Sequence, residues 1–470
     1  MILNVARIAA AMLFCFPWAF YVSAGEREIA EHLRDRALAG SGAWEIVESL
    51  VSEIGPRPTG SPAMARARDW AVTMLKARGF DNVHVEPFVK ANAWLRGAES
   101  ASLTAPFPRS LSIAGLGNSV PTPAQGIEAE IVLFASLEQL TAASGESVRG
   151  KIVVVNQPMV RTQSGEGYGA AVRVRRDGPS LAAERGAVAF LTRSITTSNS
   201  SLPHTGATRY ADGIARIAAA ALGVPDADLL SRLVAKGAPV RLRLSMSSTI
   251  IPRAPAWNVV GEVTGSEVPD QVIVIGGHLD SWDLSESATD DGAGIAITTA
   301  AAGLIGALPR HPRRTIRVVM WGSEETTGSG SAYSEAHRGE VTRMVLAGEC
   351  DFGADRLYRV ALPTAALTDS RVADVAIVLA PLGVFVSTEA AVSGGADVED
   401  LHKAGVPIVD FSQDATHYFD VHHSADDTLE QVDRSSLDQN VAAWAALVYL
   451  FADSDIDFHA PRIGVKPDGP

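Results

Sequence analysis

Imidazole and carboxylate side chains cluster in one stretch of the chain, residues 272–294. It begins with an apolar run at 272–276 that lacks polar alternation, which predicts a strand buried on both faces. Residues 295–308, rich in Ala, Ile and Leu, predict a helix. Between strand and helix lie five candidate side chains: His278, Asp280, Asp283, Asp290 and Asp291. Because ligands of open parallel sheets bind beyond the carboxyl ends of the strands, this stretch is a candidate site of chemistry.

Three later segments repeat this design. Apolar strands predicted at 315–321 and 344–347 are each followed by acidic residues. A further cluster of histidines and carboxylates precedes the last predicted helix. The added candidates are Glu324, Glu325, Glu349, Asp351, His422, His423, Asp426 and Asp427. A buried carboxylate without a partner is costly or becomes protonated. Several carboxylates converging with histidines therefore predict a divalent metal site.

Composition excludes some classes of function. The chain has 470 residues, enough for two to four domains with a large core. Its net charge is −14, from 40 basic and 54 acidic residues, and we see no internal repeat. This balance gives no electrostatic basis for binding nucleic acid or an anionic membrane surface.

The first 24 residues have the pattern of a signal peptide. Arg7 provides a positive start, residues 8–20 an apolar segment, and residues 22–24 a small-residue cleavage site. The apolar segment is short for a membrane span, although an uncleaved anchor stays an alternative. We therefore expect an exported protein, secreted or periplasmic, without stable membrane insertion after cleavage. Cys350 would be the one cysteine left, so no internal disulfide is expected.

The remaining chain divides into segments that differ in their predicted secondary structure. Residues 26–53 predict a helix, and a Gly- and Pro-rich break at 54–62 precedes a second helix that Thr59 or Ser61 could cap. Short β-like runs separated by Gly, Ser and Thr fill the stretch from 116 to about 246. We predict four parts after the signal peptide: an α/β part at 25–115, a β-rich insert at 116–248, a second α/β part with the metal site at 249–453, and a loose tail at 454–470. The insert either shapes access to the site or is a passive interaction domain.

Five motifs in order carry a resemblance to a known family. They are His-Leu-Asp-Ser-Trp-Asp at 278–283, Asp-Asp-Gly-Ala-Gly at 290–294, Glu-Glu at 324–325, Glu-Cys-Asp at 349–351 and His-Ser-Ala-Asp-Asp-Thr at 423–428. The chain resembles the M28 family of di-zinc peptidases over residues 26–452. The first motif and the Ile-Gly-Pro-Arg-Pro-Thr-Gly-Ser segment at 54–61 make it most similar to the carboxypeptidase Q branch. The resemblance implies a three-layer α/β fold with a mixed, mostly parallel sheet and an inserted protease-associated-like domain.

The resemblance also implies a role for each motif position. It implies two Zn²⁺ per chain, one held by His278 and Asp351, the other by Glu325 and His423, with Asp290 bridging them. Imidazole and carboxylate are ligands that catalytic zinc takes. Glu324 would be the general base that moves a proton from water to the leaving amine. Family members also hold a cis bond at the position of 290–291.

Four neighbouring residues have less certain roles. His422 is an alternative ligand to His423, although the match to His-Ser-x-x-Asp-Thr favours His423. We expect Asp280 to orient His278 and Asp427 to orient His423, since ligating histidines usually donate their second N–H to such groups. Tyr418 is a candidate for shaping the substrate pocket.

The expected function is that of an exported zinc exopeptidase acting on dipeptides or short peptides. The metal motifs are shared by aminopeptidases, carboxypeptidases and dipeptidases, so they leave the recognised terminus open. A general aminopeptidase is the first alternative, followed by a non-catalytic binding protein on the same scaffold and a single-zinc acyltransferase. The expected partner is a peptide substrate, and a homodimer stays open.

Overall fold

The computed structural model describes residues 25–237 and 239–459. The expected signal peptide at 1–24 and the tail from residue 460 onward lie outside the described residues. The helices are α1 Glu26–Leu38, α2 Ala43–Glu53, α3 Pro62–Ala77, α4 Leu137–Ala142, α5 Gly145–Val148, α6 Gly167–Glu184, α7 Val224–Ala235, α8 Ala293–Gly306, α9 Ser329–Ala336, α10 Arg371–Leu379, α11 Glu399–Lys403, α12 Tyr418–Val421 and α13 Arg434–Ala452. Shorter helical turns are Ala288–Gly292, Arg338–Arg343, Ala366–Thr368, Ala380–Leu382 and Leu429–Gln431.

The strands form three sheets. They are β1 Asp81–Leu95, β2 Glu99–Ala105, β3 Arg109–Leu111, β4 Ile113–Gly115, β5 Ile127–Phe134, β6 Ile152–Val155, β7 Ala189–Arg193, β8 Ala218–Leu222, β9 Arg241–Met246, β10 Thr249–Val263, β11 Val268–His278, β12 Arg314–Trp321, β13 Met344–Glu349, β14 Leu357–Ala361, β15 Phe385–Val386 and β16 Asp410–Gln413. The sheet orders are β1-β10-β12-β11-β13, β15-β14-β16 and β3-β2-β9-β5-β6-β7-β8-β4.

The five-stranded sheet carries the predicted site. The strands β12, β11 and β13 are adjacent and parallel, whereas β1 and β10 add antiparallel pairings. The three strands predicted before the acidic segments therefore end at one edge of this sheet. The mixed α/β class is confirmed, with the parallel pairings of this sheet confined to these three strands.

Strand β11 is buried on both faces, as its apolar run predicts. Ile273 and Ile275 point to the core under helices α8 and α13. Val272 and Val274 point to a second cluster that contains Tyr333 of α9 and residues of α11. Full burial of each such side chain stabilises the fold by about 1.5–3 kcal/mol. Because the strand is packed on both sides, the position of its carboxyl end is fixed.

The single helix expected at 26–53 is two helices. The chain breaks between α1 and α2, where Gly40 and Gly42 have φ of 133° and 77°. L-residues rarely adopt these values, so the two glycines permit a turn that a helix period does not predict. The break lets α1 pack against α13 while α2 packs against α8. Of the two predicted caps for α3, Ser61 is the one used, its hydroxyl accepting from Met64 N at 3.1 Å.

The eight-stranded sheet begins earlier than the predicted boundary at residue 116. Strands β2, β3 and β4 precede this residue, yet they pair within the same sheet as β5 to β9. The physical reason is that β2 pairs with the distant strand β9, a contact that leaves no mark in the local sequence. The division of the chain into domains stays a prediction.

Contacts between the eight-stranded sheet and the α/β part lie beside the predicted site. Apolar residues of the chain segment that carries the eight-stranded sheet, including Met159 and Val172, pack against Phe419 in the first turn of α12. Arg96 donates to Asp283 at 2.9 Å, within the stretch 272–294 that carries the candidate side chains. These contacts place loops of the eight-stranded sheet over the carboxyl edge of β11 and β12.

The start of the tail is packed and not loose. Ile456 and Phe458 are buried in the main core, and the Phe458 ring contacts Phe451 at a centroid distance of 5.1 Å. Arg314 also donates to Ile456 O at 2.7 Å. Among the described residues, no helix combines the length and apolar character needed to cross a bilayer.

Candidate metal centre

The structure brings the five predicted ligands to one place. His278 ends β11, Glu325 and Asp351 follow β12 and β13, and Asp290 lies in the turn before α8. His423 arrives from the loop after α12. Parallel strands end at the same edge, so three of the five positions follow directly from the sheet topology.

Asp290 lies between two groups of side chains. Its Oδ1 is 3.0 Å from His278 Nε2, which is also 3.5 Å from Asp351 Oδ1. Its Oδ2 is 3.2 Å from His423 Nε2, which is also 3.0 Å from Glu325 Oε2. The arrangement is that of two half-sites sharing one carboxylate, which is the arrangement implied by the family resemblance.

The donor set fits a metal. Asp290 Oδ2 is buried and accepts no hydrogen bond within the described part of the chain. A buried anionic oxygen left in this state is costly, and a cation satisfies it. Two sets, Asp290 with His422 and His423, and Asp290 with His278 and Asp351, each hold ligand atoms within 4.8 Å of one another. Histidine nitrogen and carboxylate oxygen suit zinc.

The buried carboxylates of the centre are stabilised by nearby positive charge. Burial raises the pKa of Asp351 and of Glu325, against the opposing charges of His278 and His423. Burial alone would lower the pKa of the two histidines, but the surrounding carboxylates outweigh it and hold both pKa values well above the usual range. A protonated imidazole and a bound cation supply the same compensation. The centre is therefore built for cations.

The geometry favours His423 over His422 as the ligand. The two rings stack with centroids 3.6 Å apart, so both lie near the centre. His422 Nε2 approaches Asp290 Oδ2 only to 3.6 Å, whereas His423 contacts both Asp290 and Glu325. Burial and the charge of His423 hold the pKa of His422 well below its usual range.

Asp280 supports the site differently from the prediction. His278 Nδ1 lies 2.9 Å from the backbone carbonyl of Asp280, so the carbonyl orients the ring. The Asp280 carboxylate instead accepts from Glu324 N at 2.9 Å and from the Thr59 hydroxyl at 2.8 Å. It thereby fixes the backbone of Glu324.

The prediction that Asp427 orients His423 is wrong, because the Asp427 carboxylate is hydrogen-bonded to other residues. The Asp427 carboxylate accepts from Thr289 N at 2.7 Å, from the Thr289 hydroxyl at 2.8 Å and from Asp290 N at 3.1 Å. Burial raises the pKa of Asp427 to about 7. Its role is to hold the turn that presents Asp290.

His423 is supported by a segment that sequence reasoning missed. Its Nδ1 lies 3.3 Å from Thr205 O, and Thr205 N donates to His423 O at 2.9 Å. Arg175 donates to the same Thr205 carbonyl at 2.9 Å. Arg175 Nη1 also lies 3.2 Å from His423 Nδ1. These contacts of Nδ1 direct Nε2 toward Asp290 and Glu325. No local pattern links Thr205 to His423, because 218 residues separate them.

Asp291 was a candidate to which the sequence assigned no role of its own, and the structure gives it one. Its carboxylate accepts from His278 N and from Gly294 N, both at 2.9 Å, and it is fully buried. A Cβ at Gly277 or Gly294 would lie 2.4 Å or 2.3 Å from this carboxylate, so glycine is required at both positions. The Asp290–Asp291 bond is cis, as the resemblance implies. The Asp-Asp-Gly-Ala-Gly motif was the available signal for this role.

A cavity of about 530 Å³ opens over the centre, a size typical of small-ligand sites. Glu324 and Tyr418 line it, together with Ser393, Gly394 and Gly395. Burial, followed by the charge of Asp351, raises the pKa of Glu324 well above its usual range. Tyr418 packs its ring against neighbouring aromatic rings and is buried.

Helix α6 and the loop between β7 and β8 also line this cavity. Tyr168, Arg176, Ala207 and Arg209 all line it. This placement supports the expectation that the β-rich region shapes access to the site, in preference to a passive interaction module.

The chain is similar to several known proteins. The peptidase family M28 matches residues 258–448. The carboxypeptidase Q proteins of Bos taurus and Homo sapiens are 36% and 34% identical, covering 88% and 91% of this chain and 86% and 89% of their own lengths. A peptidase M28 precursor from Shewanella amazonensis is 39% identical, with a TM-score of 0.88 over 92% of this chain and 98% of its own. A zinc aminopeptidase from Bacillus subtilis, at 19% identity, shares the fold with a TM-score of 0.64 over 88% of this chain and 95% of its own.

Proposed function

Because the chain belongs to peptidase family M28 and is a metallo-exopeptidase, we propose that it hydrolyses dipeptides or short peptides with two zinc ions and Glu324 as general base. The single observation that supports this most directly is the position of Asp290, whose two oxygens face His278 on one side and His423 on the other. A shared carboxylate between two ligand sets is what a two-metal site needs.

Five residues would hold the metals: His278, Asp290, Glu325, Asp351 and His423. When bound, two zinc ions supply Lewis acidity and an activated water. The protein's own part is to orient these donors. The carbonyls of Asp280 and Thr205 face the histidine nitrogens that point away from the centre, and Asp427 holds the Asp290 turn.

Glu324 is suited to moving a proton. It lines the cavity next to Glu325, and the bond from its N–H to Asp280 fixes its backbone. Burial and the neighbouring Asp351 raise its pKa, which brings a carboxylate nearer to the pH at which it can both accept and return a proton. It would take the proton of the attacking water and deliver it to the leaving amine.

A general aminopeptidase is the second candidate. The observation that favours it is the fold shared with a protein named a zinc aminopeptidase from Bacillus subtilis. The carboxypeptidase names of the relatives that cover most of the chain favour the first candidate. An unblocked dipeptide compared with an aminoacyl chromogenic substrate separates the two.

We also propose that the protein is exported, since residues 1–24 have the charge, apolar segment and cleavage pattern of a signal peptide. Comparing the mass and the cellular fraction of the expressed protein with and without these residues tests this proposal.

The decisive experiment combines metal analysis with a Glu324→Gln variant. We expect two zinc ions per chain in both proteins and a loss of turnover of about 10²–10⁴-fold in the variant, the usual contribution of a general base. Chelation should abolish hydrolysis in the wild type, and zinc should restore it. Near-normal turnover of Glu324→Gln would remove this residue from the base role, and full activity without metal would end the proposal.

A further inference from the structure

The segment 322–329, which joins β12 to α9, carries the proposed base Glu324 and the metal ligand Glu325. It contains a tight turn, closed by Thr327 N, which donates to Glu324 O at 2.6 Å. Thr327 has φ of 63°, a left-handed conformation that β-branched residues rarely adopt, and the next residue, Gly328, has φ of 137°. A turn in such a conformation persists only where surrounding groups hold it.

Two polar side chains hold the ends and the start of this segment. Asn258 of β10 is buried, and its side chain accepts from Gly322 N and donates to Ser329 O, both at 3.2 Å. The two ends of the segment are therefore tied to one strand. Asp280 accepts from the backbone N–H of the base. Neither contact involves the outer part of the turn, at residues 326–327.

Lys90 of β1 holds this outer part. Its Nζ donates to Thr326 O at 2.6 Å and also to Thr327 O. Lys90 is half-buried, and the lysine ion pairs among the described residues are those of Lys151 and Lys403. The ammonium group of Lys90 is therefore bonded to two carbonyls of the turn and not to a carboxylate. A charged donor makes stronger hydrogen bonds than a neutral one.

The turn that Lys90 holds is part of the cavity wall. Thr327 lines the cavity together with Glu324. The ammonium group is also near the acidic side of the centre: burial lowers the pKa of Lys90, whereas the negative charges of Asp280 and Glu324 raise it. Displacing the turn would move Glu324 relative to a bound substrate. Misplacement of a reacting group by about 1 Å can cost roughly 100-fold in rate.

We propose that Lys90 is a positioning residue for the hydrolysis, because its bonds to the carbonyls of Thr326 and Thr327 fix the turn that presents Glu324 to the attacking water. Lys90 itself touches neither the substrate nor the reacting atoms. This inference rests on the proposed exopeptidase function. It also gives a role to the antiparallel strands β1 and β10, which contain none of the five motifs but provide the side chains of Lys90 and Asn258 that hold the segment.

The test compares Lys90→Met and Lys90→Arg with the wild type and with Lys76→Met. Lys90→Met keeps an unbranched side chain and removes the donors, whereas the guanidinium of Lys90→Arg can donate to two carbonyls. Lys76→Met is the matched control, because it makes the same chemical change at an exposed lysine of α3 that does not line the cavity.

Two quantities are measured on each protein. The first is kcat and KM for alanyl-leucine, with the rate referred to the zinc-loaded, folded fraction. The second is hydrogen–deuterium exchange of the backbone amides at 322–329 in the metal-free protein, which reports the order of the turn without depending on catalysis.

We expect Lys90→Met to lower kcat by roughly 10–100-fold with little change in KM, and to speed amide exchange at 322–329. Lys90→Arg should recover most of both losses, and Lys76→Met should match the wild type. A lysine with a merely structural role would lower the melting temperature and leave kcat per zinc-loaded chain unchanged.

Wild-type kcat in Lys90→Met, or an equal loss in Lys90→Arg, would overturn the inference while leaving the exopeptidase function intact. A lower kcat without faster exchange at 322–329 would overturn it too, since the turn would then not have moved. A wild type that cleaves neither the dipeptide nor an aminoacyl chromogenic substrate would instead end the proposed function, and this inference with it.

Discussion

Replacing Asp427 tests how the Asp290 turn is held. Asp427 is 1% exposed and accepts two backbone hydrogen bonds, from Thr289 N and Asp290 N, and one from the Thr289 hydroxyl. The Asp427→Ala change removes the acceptor and leaves these donors buried. We therefore expect it to weaken both the fold and the metal centre.

The size of the effect follows from these contacts. Each buried backbone N–H left without an acceptor costs about 1–3 kcal/mol, so the two at Thr289 and Asp290 together cost roughly 2–6 kcal/mol. This is a large part of the roughly 5–15 kcal/mol that stabilises a typical domain. Loss of a group that orients a metal ligand usually weakens metal binding by about 10–100-fold. Asp427→Asn keeps one acceptor oxygen and should show a smaller loss in both quantities.

Two measurements check this prediction. Urea unfolding of the metal-free proteins gives the change in the free energy of unfolding, and competition with a chromophoric chelator gives the change in zinc affinity. Asp426→Ala is the matched control, because among the described residues the Asp426 carboxylate hydrogen-bonds only to the Ser200 hydroxyl, at 3.5 Å, and to no group of the Asp290 turn. We expect the control to differ little from the wild type.

A single outcome would refute the reasoning. If Asp427→Ala unfolds at the wild-type urea concentration and binds zinc with wild-type affinity, the three hydrogen bonds do not hold Asp290. A loss of stability without a loss of zinc affinity would limit Asp427 to a structural role.

Two further predictions concern the scaffold. Arg57 is fully buried and donates to four backbone carbonyls. Arg57→Ala should therefore lower the free energy of unfolding by at least about 3 kcal/mol. Arg57→Lys should not restore the stability, because one ammonium group cannot reach all four carbonyls. Urea unfolding measures both, and a stable Arg57→Lys protein would contradict this account. Phe458→Ala should cost about 3 kcal/mol by emptying a core position, whereas Asp457→Ala, an exposed neighbour, should cost almost nothing. Thermal melting measures this difference, kcat/KM should stay unchanged, and equal melting temperatures would show that the tail does not dock.

The sequence alone identified the groups that come together at the centre. His278, Glu325 and Asp351 follow apolar runs, and the carboxyl ends of parallel strands meet at one edge. This rule depends only on the strand pattern, which is local and readable. The family motifs added Asp290 and His423 by position.

The groups that hold the ligands were decided by the tertiary structure. Asp427 lies four residues from His423 in the chain, which made a local pairing plausible, but its carboxylate faces Thr289 and Asp290. The Thr205 carbonyl, which faces the outer His423 nitrogen, comes from the segment between β7 and β8. Hydrogen bonds to backbone carbonyls leave no signature in the residue type, so sequence patterns cannot report them.

The same distinction explains the fold. Burial of β11 on both faces was readable because its residues are apolar without alternation. The early start of the eight-stranded sheet and the docking of Phe458 were not readable. Strand β2 pairs with the distant β9, and Phe458 packs under the guanidinium of the distant Arg314. The sequence determined which segments are strands, helices and ligands, since these depend on neighbouring residues. The tertiary structure decided which segments meet, since that depends on how the whole core packs.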